Sequence, residues 1–170
     1  MQEIEYSEDF LIIRQKPLIL KLRSLGAGVE DEAETKITYL EAAYFADRKV
    51  LPLDKDELLK HALKKDEMAR EKYATIKYLR DRGYIVRPSL DGTPYLRLHR
   101  KGYRPGEDKT YYLIHVVKSD WKASSESLVE PLEAASRLRK ELAIAIVDVT
   151  RAGDINFEPK FLKFGRLNFE

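Results

Sequence analysis

The chain of 170 residues has no cysteine, which excludes disulfides, thiolate catalysis and cysteine-ligated metal sites. Its three histidines, His61, His99 and His115, are too scattered along the chain to suggest a zinc site. Side-chain amides are confined to Gln2, Gln15, Asn156 and Asn168. Scarcity of thermolabile residues beside many Lys, Arg and Glu is a composition found in hyperthermophile proteins. No apolar run approaches the ~20 residues of a membrane span. The opening MQEIEYSEDF lacks the basic and then apolar order of a signal peptide. The expectation is a soluble, cytoplasmic protein without contact to membrane. Charge of one sign is missing too, since the net charge is only +2. A protein that grips nucleic acid alone usually carries a basic excess or stripe. If RNA is the ligand, the positive field must come from a local patch or from a partner.

What is present suffices for a packed core, with 44% hydrophobic residues. The length allows one medium or two small domains at ~100–200 residues each. Phe10–Ile13 and Leu18–Leu22 read as strands, and Gly26 and Gly28 mark a turn. Lys36–Arg48 has helical periodicity, with Ile37, Leu40, Ala43 and Tyr44 on one face. Val50–Leu53 is an extended link; Asp54 is the expected N-cap, with Glu57 in the capping-box position, of a helix to about Leu63. The charged run LKKDE (Leu63–Glu67) is the expected domain boundary, giving an N-terminal α+β domain over 1–65 and a second domain over 66–170.

The second domain should begin with a helix whose stripe is Ala69, Tyr73, Ile76 and Leu79, with Arg80 and Arg82 serving its last turn. Gly83 is the left-handed cap. Strands are expected over Tyr84–Arg87, Tyr95–His99, Thr110–Val117, Ile155–Phe157 and Phe161–Phe169. Turns fall at Asp91-Gly92, Tyr103–Asp108 and Gly153-Asp154. A helix near Pro131 should turn Leu132, Ala135 and Leu138 inward. The uninterrupted apolar run Leu142–Val147 should be a strand covered on both faces. The fold class is therefore α/β: a small N-terminal α+β domain plus a mixed β-sheet flanked by helices.

Over about Tyr73–Phe157 the chain resembles a known family. YATIKYLRDRGYIVR (Tyr73–Arg87) is similar to the helix-to-strand segment that opens the catalytic-type domain of archaeal tRNA-splicing endonucleases. RKGYRPGEDKTYYLIHVV (Arg100–Val117) resembles the loop and strand that follow there, and RKELAIAIVD (Arg139–Asp148) its late helix-to-strand segment. The helix Ile37–Arg48 and the link Val50–Leu53 fit the smaller N-terminal domain. The resemblance implies cleavage of precursor tRNA at intron boundaries without metal or cofactor. The RNA's own 2′-hydroxyl attacks, leaving a 2′,3′-cyclic phosphate and a 5′-hydroxyl. A tyrosine is the general base, a histidine the general acid, and a lysine stabilises the transition state.

Two of those three side chains are replaced. The family's tyrosine ends a strand of the form Gly-x-Asp-Phe-x-x-Tyr before a Lys/Arg-Gly turn. Counting back from Lys101-Gly102 puts His99 there, and Tyr95-Leu96 in place of Asp-Phe. The family's histidine precedes a Ser/Thr, where this chain has Lys109-Thr110. The lysine alone is matched, at Lys140. The resemblance with these losses implies a structural subunit, pairing with a catalytic chain in a heterotetramer on precursor tRNA. The family pairs subunits through C-terminal strands and joins the pairs by an acidic loop. Here those positions are Phe161, Phe164, Leu167 and Phe169 in the tail, and Asp148 and Asp154 in the loop, where Arg151 intrudes.

Other readings of the same residues stand beside this one. His99, Lys109 and Lys140 could form a substitute catalytic site, His99 having a pKa suited to proton transfer; the bland alternative is a strand residue and solvated charges. Asp91 with Glu107-x-Lys109 resembles the carboxylate pair and lysine of magnesium-dependent nucleases, but Glu107 follows Pro105-Gly106 in a turn, so no metal site is expected. Lys101, Arg104 and Lys109 lie among Tyr103, Tyr111 and Tyr112, a mixture suited to RNA phosphates and unpaired bases. Strand alternation requires one of Tyr111 and Tyr112 to face the core, and His115 is expected to be packed. A stand-alone RNA-binding module is disfavoured by the near-neutral charge.

Overall fold

The computed structural model describes residues 3–31, 33–89, 93–99, 101, 110–148 and 159–164. The chain opens with β1 (Ile4–Tyr6) and β2 (Phe10–Ile13), followed by α1 (Lys16–Ser24). Next come β3 (Val29–Asp31) and β4 (Glu34–Thr38). The four strands form an antiparallel sheet in the order β1-β2-β4-β3. Leu18–Leu22, expected as a strand, belongs to α1. Pro17 fits the first turn, and Leu18, Ile19 and Leu22 have the i, i+4 spacing that turns Leu22 into the core. Lys36–Thr38, expected as helix, closes β4, where Thr35 and Ile37 point inward by strand alternation.

Thr38 then becomes an N-cap, its hydroxyl accepting the Glu41 N–H at 3.3 Å, and α2 (Tyr39–Asp47) follows with almost every side chain buried. Asp54 caps α3 (Lys55–Lys65) as expected, but through the Asp56 N–H rather than Glu57.

The second half runs α4 (Ala69–Arg80), β5 (Ile85–Pro88), β6 (Leu96–His99), β7 (Thr110–Lys118), α5 (Ser125–Arg137), β8 (Glu141–Val147) and β9 (Lys160–Phe164). The sheet order is β5-β6-β7-β8-β9. Only β7 and β8 are parallel, because α5 carries the chain across between them; the other pairs are antiparallel. This is the mixed sheet anticipated. α4 covers one face, where a core runs from Leu11 and Ile37 through Ala42 and Ile76 to Ile114 and Ala145. α5 covers the other, with Ala134 and Ala135 against Leu113, Val117, Leu142 and Ile144. Among the described residues no helix is long and apolar enough to cross a membrane.

α5 starts six residues before the expected Pro131, because Ser124 and Ser127 cap each other reciprocally at 3.0 and 2.9 Å. Pro131 lies inside the helix and is buried. Pro131, Ala134 and Ala135 share the inward face at i, i+3 and i+4; of the residues expected inside, Leu132 falls off that face and is exposed, and Leu138, the C-cap, is exposed as well. The turns at Asp91-Gly92, Tyr103–Asp108 and Gly153-Asp154, the strand Ile155–Phe157 and the tail beyond Phe164 lie outside the described residues.

Candidate functional site at one end of the second sheet

Strand register decides what meets here. His99 ends β6 opposite Ile85 of β5 and Thr110 of β7. One row inward, Leu98 pairs with Tyr112, and Tyr112 with Glu141 at the start of β8. The end of β6 and the starts of β7 and β8 therefore share one end of the sheet. Lys140 immediately precedes Glu141, so it stands about two strand spacings, ~10 Å, from the β6 line. Lys109 precedes Thr110 in sequence but lies outside the described residues, as do Arg104, Asp91 and Glu107.

His99 is only 5% exposed, held between β5 and β7 at a point where the β6–β7 register shifts. Lys140 is half-buried and held by a tight helix exit: its N–H donates to the Ala135 carbonyl at 2.8 Å, and Arg139 takes a left-handed φ of 54°. Lys101 is exposed, with its ammonium 4.9 Å from the centre of the Tyr84 ring. A cation over an aromatic face is attracted by the ring quadrupole, and this contact holds Lys101 beside the start of β5.

Two further features were missed in the sequence. Arg82 was read as a helix-end cation, but its guanidinium stacks 3.5 Å from the centre of the Tyr78 ring. The i, i+4 spacing of Tyr78 and Arg82 is a signal that could have shown it. Arg80, assigned the same helix-end role, is turned inward onto Glu41 of α2 at 2.8 Å. Burial depresses the Arg80 pKa and raises that of Glu41, with each partner opposing the shift of the other.

The proposed interface residues divide. Phe161 is 38% exposed on β9 and lies 5.9 Å from the Tyr78 ring. Phe164 is partly buried at the margin of the α5-side core. Asp148 is exposed just after β8. Asp154, Leu167 and Phe169 lie outside the described residues. His115 is packed edge-on against Tyr95 at 5.4 Å, as expected, and burial keeps its pKa below the ordinary imidazole value.

A cleft of about 590 Å³ opens at the opposite end of β5 and β6, lined in part by Tyr39, His61, Lys65, Lys72 and Tyr95. His61 stacks on Tyr39 at 4.9 Å. Lys65 pairs with Glu8, and Lys72 with Asp66, so the two ammonium groups are already matched by carboxylates. Among the described residues no cluster of three or more His, Cys, Asp or Glu side chains is arranged to hold a metal ion.

Residues 69–157 match the tRNA intron endonuclease catalytic C-terminal domain family. The chain is 32% identical over 142 residues to a tRNA-splicing endonuclease of Pyrococcus abyssi, covering 79% of this chain and 81% of that protein. It is 30% identical over 159 residues to the tRNA-splicing endonuclease of Pyrococcus horikoshii, covering 89% and 90%. A tRNA-splicing endonuclease of Thermococcus onnurineus is 34% identical over 119 residues, covering 66% and 68%. The matched segment spans α4 to the region beyond β8, the same stretch that carries His99 and Lys140, and the chain belongs to the tRNA intron endonuclease family.

Proposed function

We propose that this chain is the structural, non-catalytic subunit of a tRNA-splicing endonuclease, assembling in the cytoplasm with a catalytic chain as a heterotetramer on precursor tRNA. The observation that carries this reading is the state of His99. It occupies the position of the family's tyrosine base, yet it is an imidazole only 5% exposed. A general base must come within hydrogen-bond reach of the hydroxyl it deprotonates, and an imidazole is shorter than the phenol it replaces. With Lys109 at the acid's position, the chain retains only the lysine of the three.

The retained cations give the same end of the sheet a different use. Lys101, Arg82, Arg139 and Lys140 supply positive charge there, with Arg104 and Lys109 close in sequence, which suits phosphate contact without catalysis. The β9 edge pairs with the catalytic chain, and the loop Asp148–Asp154 makes the contact between pairs. Residues 1–65 and 66–170 are the two domains of this subunit.

A second reading is favoured by one observation: His99 and Lys140, two of the three residues of a substitute site with Lys109, share a sheet end. Precursor tRNA cleavage by the purified chain, with and without its catalytic relative, separates the two. We expect no cleavage alone and cleavage on mixing. Cleavage by the chain alone that is lost in His99→Ala would overturn the structural assignment.

A further inference from the structure

Among the described residues, helices α1, α2, α4 and α5 leave through the same backbone motif. A residue in the left-handed region donates its N–H to the carbonyl three residues back, and the next N–H donates to the carbonyl before that one. The left-handed residues are Gly26, Lys49, Gly83 and Arg139, with φ of 65°, 60°, 90° and 54°. At the exit of α5 the bonds run from Arg139 to Ser136 at 3.0 Å and from Lys140 to Ala135 at 2.8 Å. Glycine is the usual residue at such a position, because a Cβ crowds the following carbonyl there. The chain uses glycine after α1 and α4. After α2 and α5 it sets a cation against that steric cost.

One cause is common to Lys49 and Arg139, since the helix dipole favours a cation at a C-terminus. The surroundings of Arg139 go beyond it. Arg137, Arg139 and Lys140 put three cations within four residues just before β8. Among the described residues no carboxylate pairs with any of them, and Glu141, the next residue, is engaged by Lys163 of β9 at 3.3 Å. Arg139 is exposed and Lys140 beside it is half-buried. Like charges held this close without a counter-charge repel, and an anion relieves them. Lys49 lies elsewhere: it follows α2, which packs with α4 on the other face of the second sheet from α5.

We propose that Arg139 is kept in the left-handed turn for its charge: its guanidinium binds a backbone phosphate of precursor tRNA, and the fixed turn sets where that contact falls. A guanidinium offers a phosphate two parallel N–H donors, which neither glycine nor the helix dipole supplies. This rests on the reading that the chain works on precursor tRNA at this end of the sheet. It adds that Arg139 is a substrate-binding residue independent of the lost base and acid.

The test is equilibrium binding of precursor tRNA carrying 2′-deoxy groups at the cleavage sites, which blocks the attacking hydroxyl, to this chain assembled with its catalytic relative. Arg139→Gly should keep or raise the thermal midpoint, because it removes the crowded Cβ, while weakening binding about five- to twentyfold at low salt. The slope of log K against log salt should become shallower by about 0.7–0.9, the loss of one phosphate contact. Arg139→Asn, which also suits the left-handed turn, should lose the same affinity and keeps the test open if the glycine variant folds poorly. Arg139→Lys should retain the slope and lose about threefold or less. Lys49→Gly, which makes the same exchange at the matching exit of α2, should bind like the wild type.

Wild-type affinity and slope in Arg139→Gly would overturn the proposal. So would an equal loss in Lys49→Gly, which would assign the effect to the turn motif in general. Affinity lost in Arg139→Gly but kept in Arg139→Asn would overturn it too, by tracing the loss to backbone freedom rather than charge. The RNA is not cut in this measurement, so the result stands whichever chain is catalytic. Cleavage of ordinary precursor by this chain alone would sink the structural assignment and leave the role of Arg139 in place.

Discussion

Arg80 of α4 donates to the Glu41 carboxylate of α2 at 2.8 Å, with the two side chains only 5% and 3% exposed. The same guanidinium donates to the carbonyls of Leu25 at 2.7 Å and Gly26 at 3.3 Å. Arg87 of β5 donates to the Gly28 carbonyl, and the Gly28 N–H donates to Glu41. One ionic cluster therefore ties the turn after α1 and helix α2 to α4 and the start of the second sheet. Removing one partner leaves a buried charge uncompensated. Arg80→Met should cost ~3–5 kcal/mol in chemical denaturation. Adding Glu41→Leu should restore part of it, giving a coupling of ~1–3 kcal/mol in a double-mutant cycle. Additive losses would show that the two side chains do not depend on each other.

Lys140 tests whether the family's lysine is still used. It keeps its place at the sheet end, but a transition-state stabiliser is of use only beside a working base and acid. In the reconstituted complex, Lys140→Ala should change the single-turnover cleavage rate by no more than about threefold, against the ~10²–10³ lost when a true oxyanion donor is removed. A hundredfold fall with assembly intact would mean that this site takes part in the reaction.

The parts of the fold that were legible were those with an unambiguous local signal. Leu142–Val147 is apolar at every position and became β8, buried on both faces. Asp54 and Gly83 gave the cap and the left-handed exit that their types favour. The failures arose where two signals compete. Leu18–Leu22 reads as an apolar strand until Pro17 and the helical spacing of Leu22 are weighed together. Lys36–Thr38 shares its periodicity with the helix it precedes, and only the pairing of β4 with β2 separates them. Pro131 suggested a helix start because proline favours that position, but the reciprocal serine cap set the start earlier, and Pro131 itself is buried with Ala134 and Ala135 on the face that packs, which leaves Leu132 off it. In the candidate site, counting from Lys101-Gly102 located His99, but nothing in its sequence neighbourhood gave its burial. That comes from β5 and β7 on either side. Arg80 looked like a helix-end cation because its partner Glu41 is distant in sequence.

His115 gives a dependence on pH. Its imidazole is packed against Tyr95, and burial and the Lys72 charge hold its pKa below the ordinary 6.5, partly opposed by Glu130. The unfolded chain binds a proton there near pH 6.5 while the folded chain does not, so the folded state loses stability as pH falls below that value. Urea denaturation midpoints should decline from about pH 6.5 downward, ahead of the carboxylate range. His115→Phe keeps an aromatic ring against Tyr95 without a titrating group and should flatten the decline in that window. An unchanged slope in the variant would assign the effect to another group.

Phe161 and Leu162 are adjacent on β9 yet face opposite sides of the sheet, and this separates two roles for the strand. Phe161 pairs with Ala145 and meets Tyr78 of α4, so part of its surface belongs to this chain's own packing. Leu162 is 44% exposed and pairs with Ile144, on the other face. If β9 served only to cover the chain's own core, Phe161→Ala would be the harmful change and Leu162→Asp nearly silent. If β9 pairs with a catalytic chain, the order reverses for assembly. We expect Phe161→Ala to lower stability by ~1–2 kcal/mol, because the side chain is only partly buried, while a complex still forms. Leu162→Asp should shift the thermal midpoint of the isolated chain little, because the aspartate meets water in the free subunit. In the complex it would meet a partner's apolar surface without a counter-charge, which costs several-fold to a hundredfold in affinity. Co-sedimentation with the catalytic chain and the cleavage rate of the mixture should fall together for Leu162→Asp. A variant that folds, sediments with its partner and cleaves at the wild-type rate would leave β9 as an edge strand that serves this chain alone.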